Sequence, residues 1–86
     1  MSFVQFIEGE YNNAKNTFSD INEHLELLFN LGMECEHITE MGVRDGQSTK
    51  AFLNTNATLR SYDIELNWEV SELFKRAKTV GKDVVY

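Results

Sequence analysis

Residues 37–86 alternate between β-prone runs and runs with helical spacing, and this alternation constrains the fold more than any other feature of the sequence. Strands separated by helices predict parallel pairing, because a parallel pair needs a long crossover connection. The predicted elements are a strand at 37–41, a helix at 47–53, a strand at 58–64, a helix at 68–80 ended by Gly81, and a strand at 83–86. The order β-α-β-α-β predicts an α/β fold with right-handed crossovers.

Two helices are predicted before the first strand. Apolar residues recur at roughly helical spacing over residues 4–14 and indicate the first helix. Ser19 or Asp20 can cap the second, with Glu23 completing an approximate capping box, and Gly32 is the expected C-cap. The apolar stripe of this helix comprises Ile21, Leu25, Leu27, Leu28, Phe29 and Leu31. We interpret the stripe as core, because buried helical faces are far commoner than exposed ones.

Length and charge limit the classes of function. At 86 residues the chain is short for a doubly wound nucleotide-binding domain, so we expect a fragment, a reduced version or a protomer completed by a partner. A formal net charge of −6 repels phosphate backbones and argues against nucleic-acid binding. No long apolar run and no signal peptide is evident, so no membrane association and a cytoplasmic location are expected. Cys35, His24 and His37 have no metal-ligand spacing, and no metal site is expected.

The loop at residues 40–46 is the strongest candidate for a ligand site. Gly42 follows the first strand and Gly46 precedes the helix, where a missing side chain allows close approach to a ligand. Two glycines can equally well serve tight packing. Asp63 ends the second strand 17 positions after Gly46 (63 − 46), close to the separation of roughly 20 at which an acidic residue reaches ribose hydroxyls. A carboxylate accepts hydrogen bonds from both hydroxyls of a ribose.

Charge favours one class of nucleotide at this loop. Glu40, Asp45 and Asp63 would surround a pyrophosphate with carboxylates, with only Arg44 in compensation. S-adenosylmethionine carries a sulfonium and an ammonium group and no phosphate, so an acidic pocket favours it. The glycine spacing also departs from the G-x-G-x-x-G dinucleotide fingerprint.

Residues 40–46, together with residues 48–53 and 59–63, resemble the first two motifs of class I S-adenosylmethionine-dependent methyltransferases. The resemblance covers residues 19–86 and is greatest to the small methyltransferases of phages and bacteria. It implies an incomplete Rossmann-like parallel sheet with flanking helices, with a helical segment at 1–18 and the partial cofactor-binding domain at 19–86.

The resemblance also implies roles for individual residues. Glu40, Gly42 and Gly46 would line the methionine and adenosine portions of the cofactor, and Asp63 would bind its ribose. Arg44 stands where the family has a small residue, and we expect it to meet the carboxylate of the cofactor. The residues that select the methyl acceptor lie beyond the third strand in the family, so no catalytic residue is assigned.

Three hypotheses of function follow. The leading one is an S-adenosylmethionine-binding, methyltransferase-like protein, completed by further chain or by a partner for transfer to an unknown acceptor. The alternative is a non-catalytic interaction or regulatory module, in which a homo-oligomeric interface covers an open sheet edge. A dinucleotide-binding oxidoreductase is disfavoured by the acidic loop.

Overall fold

A computed structural model describes residues 2–86. The helices are α1 (Phe3–Asn16), α2 (Leu25–Met33), α3 (Gln47–Phe52) and α4 (Trp68–Thr79), with a 3₁₀ turn at Asn22–His24; the strands are β1 (His37–Met41), β2 (Thr58–Tyr62) and β3 (Val84–Val85). The chain is therefore mixed α/β, with a small parallel sheet and flanking helices. No helix in residues 2–86 combines the length and the apolar character needed to span a membrane.

The sheet has the order β1-β2-β3, and both strand pairs are parallel as predicted. Ile38 pairs with Leu59, which pairs with Val84, so a row of apolar side chains crosses the sheet. Right-handed crossovers between successive neighbours bring α3 and α4 to the same face of the sheet. The core on that face contains Phe3, Ile7, Ile38, Val43, Leu53, Ala57, Leu59, Val70, Leu73, Phe74, Ala77 and Val84.

The first helix begins at a complete capping box. Ser2 Oγ accepts from the backbone N–H of Gln5 (3.2 Å), and the Gln5 side chain accepts from the backbone N–H of Ser2 (3.2 Å). The helix ends at Asn16, two residues after the apolar spacing of residues 4–14. Its buried face carries Phe3 and Ile7 into the core under the sheet, so α1 is a part of the packed unit and covers the helices that connect the strands.

The second helix differs from the prediction at both ends. Asp20 caps no helix. The side chain of Asn22 holds the turn before α2, because it accepts a hydrogen bond from Ser19 N–H (3.2 Å) and donates one to the Lys15 carbonyl (3.3 Å). Gly32 lies inside α2 and is no C-cap. A Cβ there would lie 3.0 Å from Thr55 Cγ2, which shows that close packing requires the glycine.

The predicted apolar stripe of α2 is correct only in part. Leu25 is fully buried, and Leu28 and Phe29 pack against the same small cluster, with Gly32 completing the i, i+3, i+4, i+7 face. Leu27 and Leu31 are 58% and 52% exposed, so their assignment to the core is wrong. The helical period places both residues on a different side of α2 from this buried face.

The helices leave one face of the sheet open, and β1 has no strand on its outer side. Met41 and Tyr62 pair across β1 and β2 and are 75% and 54% exposed on the face away from the helices. Gly42 N–H donates to the Tyr62 carbonyl, and Thr58 N–H donates to the carbonyl of the residue before β1. Because residues of a parallel strand alternate in direction, the N–H and C=O groups of His37, Thr39 and Met41 point to the open edge of β1.

Candidate functional site

The loop between β1 and α3 contains three residues with positive φ, Gly42 (82°), Arg44 (54°) and Gly46 (86°). The two glycines serve different purposes. A Cβ at Gly46 would lie 2.8 Å from Val70 Cγ2, so this glycine allows α3 to begin against α4. A Cβ at Gly42 would meet nothing within 4 Å. Of the two uses considered for these glycines, packing applies to Gly46, and only Gly42 leaves the backbone open to a ligand.

Glu40 lies beneath the loop, with its carboxylate turned into the protein. The residue is 5% exposed and accepts hydrogen bonds from Thr49 Oγ1 (2.7 Å), Ser61 Oγ (2.8 Å) and Ser48 Oγ. These donors belong to α3 and β2, so one carboxylate joins both elements to β1. Hydroxyl donors are what a buried carboxylate requires, because desolvation of an unpaired charge costs several kcal/mol. Glu40 therefore fixes the position of the loop from below.

Asp63 follows β2 and holds the loop from the side. Its Oδ2 accepts from the backbone N–H of Arg44 (2.7 Å), and its Oδ1 accepts from the backbone N–H of Glu65 (3.3 Å). The Arg44 N–H, followed by that of Glu65, lowers the pKa of the Asp63 carboxyl below its ordinary value. The carboxylate is partly exposed, and each oxygen has a second lone pair for another donor. The loop and Asp63 are thus brought together.

Arg44 joins the loop to the segment before α2. Its Nη1 lies 2.9 Å from Asp20 Oδ2, and the two side chains are 78% and 67% exposed. An ion pair this exposed contributes about 0–1 kcal/mol, so the guanidinium can exchange Asp20 for another anionic group at little cost. The backbone N–H of Arg44, by contrast, is fixed by Asp63.

Three clefts open around this loop. The first, of about 330 Å³, is lined by Asp20, Leu28, Gly42, Arg44, Gln47 and Ser48, among others. The second, of about 450 Å³, lies between Arg44, Asp63 and the segment that follows β2. The third, of about 420 Å³, lies over Gly42 and Asp63 and is otherwise lined by Met41, Tyr62 and Ile64. Gly42, Arg44 and Asp63 each border two of the clefts and stand at their junction, whereas Glu40 and Gly46, which the sequence also places at the ligand, line none of the three.

The first cleft contains two polar residues that the sequence analysis did not assign to the site. Gln47 Oε1 is buried there without a hydrogen-bond partner, while its Nε2 donates to Asp45 Oδ2 (3.3 Å). Asp20 faces the same cleft and was assigned to a helix cap. Gln47 is the first residue of α3, and this position beside the glycine loop was the available signal. Within residues 2–86, no three His, Cys, Asp or Glu side chains are grouped in a way that could hold a metal ion.

The geometry provides an open backbone at Gly42, an anionic group at Asp63 and an exposed cation at Arg44, beside the carboxylates of Asp20 and Asp45. Such a set can bind a polar ligand that has hydroxyl and cationic donors. Comparison of the chain with protein-family models, with curated proteins and with solved structures gives no match in any of the three.

Proposed function

We propose that this chain binds S-adenosylmethionine at the junction of the three clefts, as the cofactor-binding, Rossmann-like part of a methyltransferase-like protein. The observation that carries the proposal is the 2.7 Å hydrogen bond between Asp63 and the Arg44 N–H. It brings the carboxylate at the end of β2 against the open loop after β1. In open α/β sheets, ligands bind outside the carboxyl ends of the strands, where these two groups lie.

The charge of the first cleft supports a cationic ligand without phosphate. Asp20 and Asp45 line it together with Arg44. The ammonium group of the cofactor would meet these carboxylates, and the cofactor's own carboxylate would replace Asp20 at the exposed guanidinium of Arg44. A dinucleotide pyrophosphate would bring two negative charges to the same carboxylates. The donors and acceptors present therefore fit S-adenosylmethionine better than NAD.

The third cleft supports a place for the base of the nucleoside. Met41 and Ile64 are 75% and 99% exposed there, on either side of Asp63 and Gly42. A purine ring that covers these side chains removes apolar area from water, at roughly 25 cal/mol per Å². Asp63 lies between this apolar cleft and the polar ones, and it would then accept hydrogen bonds from the ribose hydroxyls.

The residues of this chain would bind and orient the cofactor, and they would not by themselves complete a reaction. When bound, S-adenosylmethionine supplies an electrophilic methyl group on sulfur for in-line displacement by a nucleophile. Asp63 would fix the ribose, Gly42 would allow the cofactor to approach the backbone, and Glu40 would hold both strand and helix in place from below. Orientation of this kind is the main contribution a protein makes to such a transfer.

Isothermal titration with S-adenosylmethionine and S-adenosylhomocysteine tests the proposal. We expect binding to the native chain and at least a roughly tenfold loss of affinity in Asp63→Ala, because the ribose hydroxyls then lose a charged hydrogen-bond acceptor. Asp83→Ala is the matched control, since Asp83 lies at the opposite end of the sheet beside Arg60. Absence of heat at millimolar ligand, or equal affinity in Asp63→Ala and the native chain, would refute the proposal.

The open edge of β1 supports a second candidate, a non-catalytic module that assembles with copies of itself. Antiparallel pairing of two β1 edges about Thr39 would bring no two like charges opposite each other on the open face, because His37 then faces Met41 of the other copy. Sedimentation velocity at micromolar concentration tests it. Thr39→Pro removes the central outward N–H and should give monomers, whereas Thr39→Ala keeps that N–H and should assemble like the native chain. A native chain that is monomeric excludes this candidate.

A further inference from the structure

A groove that shares only Asp45 with the loop clefts runs between α1 and α4 on the helical side of the molecule. Its volume is about 360 Å³, and Phe6 and Leu73 form the apolar part of its floor. Trp68, the first residue of α4, stands at its side and is 75% exposed. A large aromatic side chain left this accessible beside an apolar groove is typical of a protein-binding surface.

The rim of this groove is acidic. Its carboxylates are Glu10, Asp45, Glu69 and Glu72, against the two cations Lys50 and Arg76. Lys50 Nζ lies 3.5 Å from Glu10 Oε2, Lys75 Nζ lies 3.2 Å from Glu72 Oε1, and the Arg76 guanidinium lies 3.7 Å over the ring of Phe6. Within residues 2–86, Asp45 and Glu69 are the lining carboxylates without an ion-pair partner, and they give the rim its excess of negative charge.

We propose that this groove docks a basic amphipathic segment of a partner protein. Apolar side chains of the segment would cover Trp68 and the floor at Phe6 and Leu73, and its lysine or arginine side chains would meet Glu69 and Glu72 on the exposed side of α4. Charge complementarity selects this occupant, because the whole chain carries a formal net charge of −6 and the rim contributes to it. The inference does not depend on S-adenosylmethionine binding, since neither Glu69 nor Glu72 borders the three loop clefts.

Trp68 is the one tryptophan of the chain, so its fluorescence reports directly on the groove. The probe is a short synthetic helix-forming peptide with leucines on one face and arginines on the other. We expect the Trp68 emission to shift to shorter wavelength as this peptide is added, and the affinity to fall as salt is raised. A peptide with glutamates in place of the arginines should give no shift, and one with serines in place of the leucines should bind at least roughly tenfold more weakly.

Matched charge variants then locate the site. Glu69→Gln combined with Glu72→Gln should weaken binding of the arginine peptide roughly threefold to tenfold, because two exposed charge pairs are lost. Glu23→Gln combined with Glu34→Gln makes the same change of net charge outside the groove and should leave binding as in the native chain.

Three results would overturn the proposal: no change in Trp68 emission with the arginine peptide, equal binding of the glutamate peptide, or equal weakening by the two pairs of variants. Equal affinity of the serine and leucine peptides would also contradict it, because the groove would then act as a charged surface only. The affinity for S-adenosylhomocysteine, measured on the same Glu69→Gln, Glu72→Gln protein, should be unchanged, which separates this test from that of the cofactor site.

Discussion

Glu40 is the residue on which the local structure of the loop most depends. Burial penalises its charge, and the hydroxyls of Ser48, Thr49 and Ser61 offset the penalty. Glu40→Ala would leave these hydroxyls without their acceptor and would open a small cavity, so we expect a loss of about 2–4 kcal/mol in the free energy of unfolding. Urea unfolding followed by circular dichroism measures it.

Two further substitutions control this experiment. Glu40→Gln keeps the size and one carbonyl acceptor and should cost about half as much. Glu36→Ala removes an exposed carboxylate that directly precedes β1 and should change stability by no more than about 0.5 kcal/mol. If Glu40→Ala and Glu36→Ala are equally stable, the hydroxyl contacts do not hold the loop.

The lowered pKa of Asp63 predicts that the stability of the loop depends on pH. Its folded-state pKa is lowered, first by the backbone N–H of Arg44, so its contribution to stability is fully present above its unfolded pKa of about 3.9. That contribution is lost as the pH falls through the lower, folded value. We expect the Arg44 amide proton to shift with a midpoint below about pH 3.9 in an NMR titration, and the transition to vanish in Asp63→Asn. A midpoint above that pH would mean that the Asp63–Arg44 hydrogen bond is absent in solution.

The residues of the site were predictable to different degrees. Gly42 and Asp63 could be predicted because a glycine after a strand and a carboxylate at the end of the next strand meet at one edge of a parallel sheet. The hydrogen-bond partners of Glu40 could not, because Ser61 is distant in sequence and the register of β2 against β1 places it opposite Glu40. Whether a glycine serves packing or an approaching ligand depends on its neighbours in space, such as Val70 beside Gly46.

At the scale of elements, α1 and α2 each contain a glycine, and the two positions should respond oppositely to alanine. Gly9 lies in α1 with nothing within 4 Å of an added Cβ, so Gly9→Ala should stabilise the chain by about 0.5–1 kcal/mol through helix propensity alone. At Gly32 the same gain is opposed by contacts at 3.0 Å with Thr55 and 3.1 Å with Ile38. Overpacking costs about 1–3 kcal/mol, so Gly32→Ala should be neutral to destabilising.

Thermal unfolding of the two glycine variants beside the native chain checks this. The expected order of melting temperature is Gly9→Ala, then native, then Gly32→Ala, and two variants that both stabilise would show that α2 does not pack closely on β1 and the end of α3. The prediction that Gly32 is a C-cap was wrong because the sequence shows only a glycine near the end of a helical pattern. The contact with Thr55 depends on how α2 packs against α3.

The strands and helices from β1 onward were predicted to within two residues, and α2 was predicted less accurately. The limits of β1 agree with the sequence pattern, because its β-prone run is bounded by a glycine. The start of β2 also agrees, but the strand ends at Tyr62, before the predicted end at residue 64. The segment before α2 has no comparable signal. Its 3₁₀ turn depends on the side chain of Asn22 reaching Lys15 at the end of α1, a contact between two elements that no local pattern encodes.

At the scale of the whole molecule, the core is small and lies on one face of the sheet. Its two buried clusters connect α1, α3 and α4 to the sheet and α1 to α2, and the opposite face retains exposed Met41 and Tyr62. A chain of this length buries only about 60% of its unfolded surface, so its stability is marginal. Any ligand that binds only the folded chain should therefore change its melting temperature by a large amount.

S-adenosylmethionine provides the last prediction. A ligand at a hundred times its Kd adds about 2.7 kcal/mol to the free energy of unfolding. For a chain of this size that is a rise in melting temperature of roughly 10–20 °C, since 1 kcal/mol corresponds to about 4–8 °C. S-adenosylhomocysteine should act similarly, and NADH should have no effect because its pyrophosphate meets the carboxylates of the loop. A tenfold loss of affinity at the same ligand concentration lowers the stabilisation to about 1.4 kcal/mol, so Asp63→Ala should at least halve the rise while Asp83→Ala keeps it. A rise with NADH and none with S-adenosylmethionine would show that the acidic loop binds the opposite class of nucleotide to the one its charge favours.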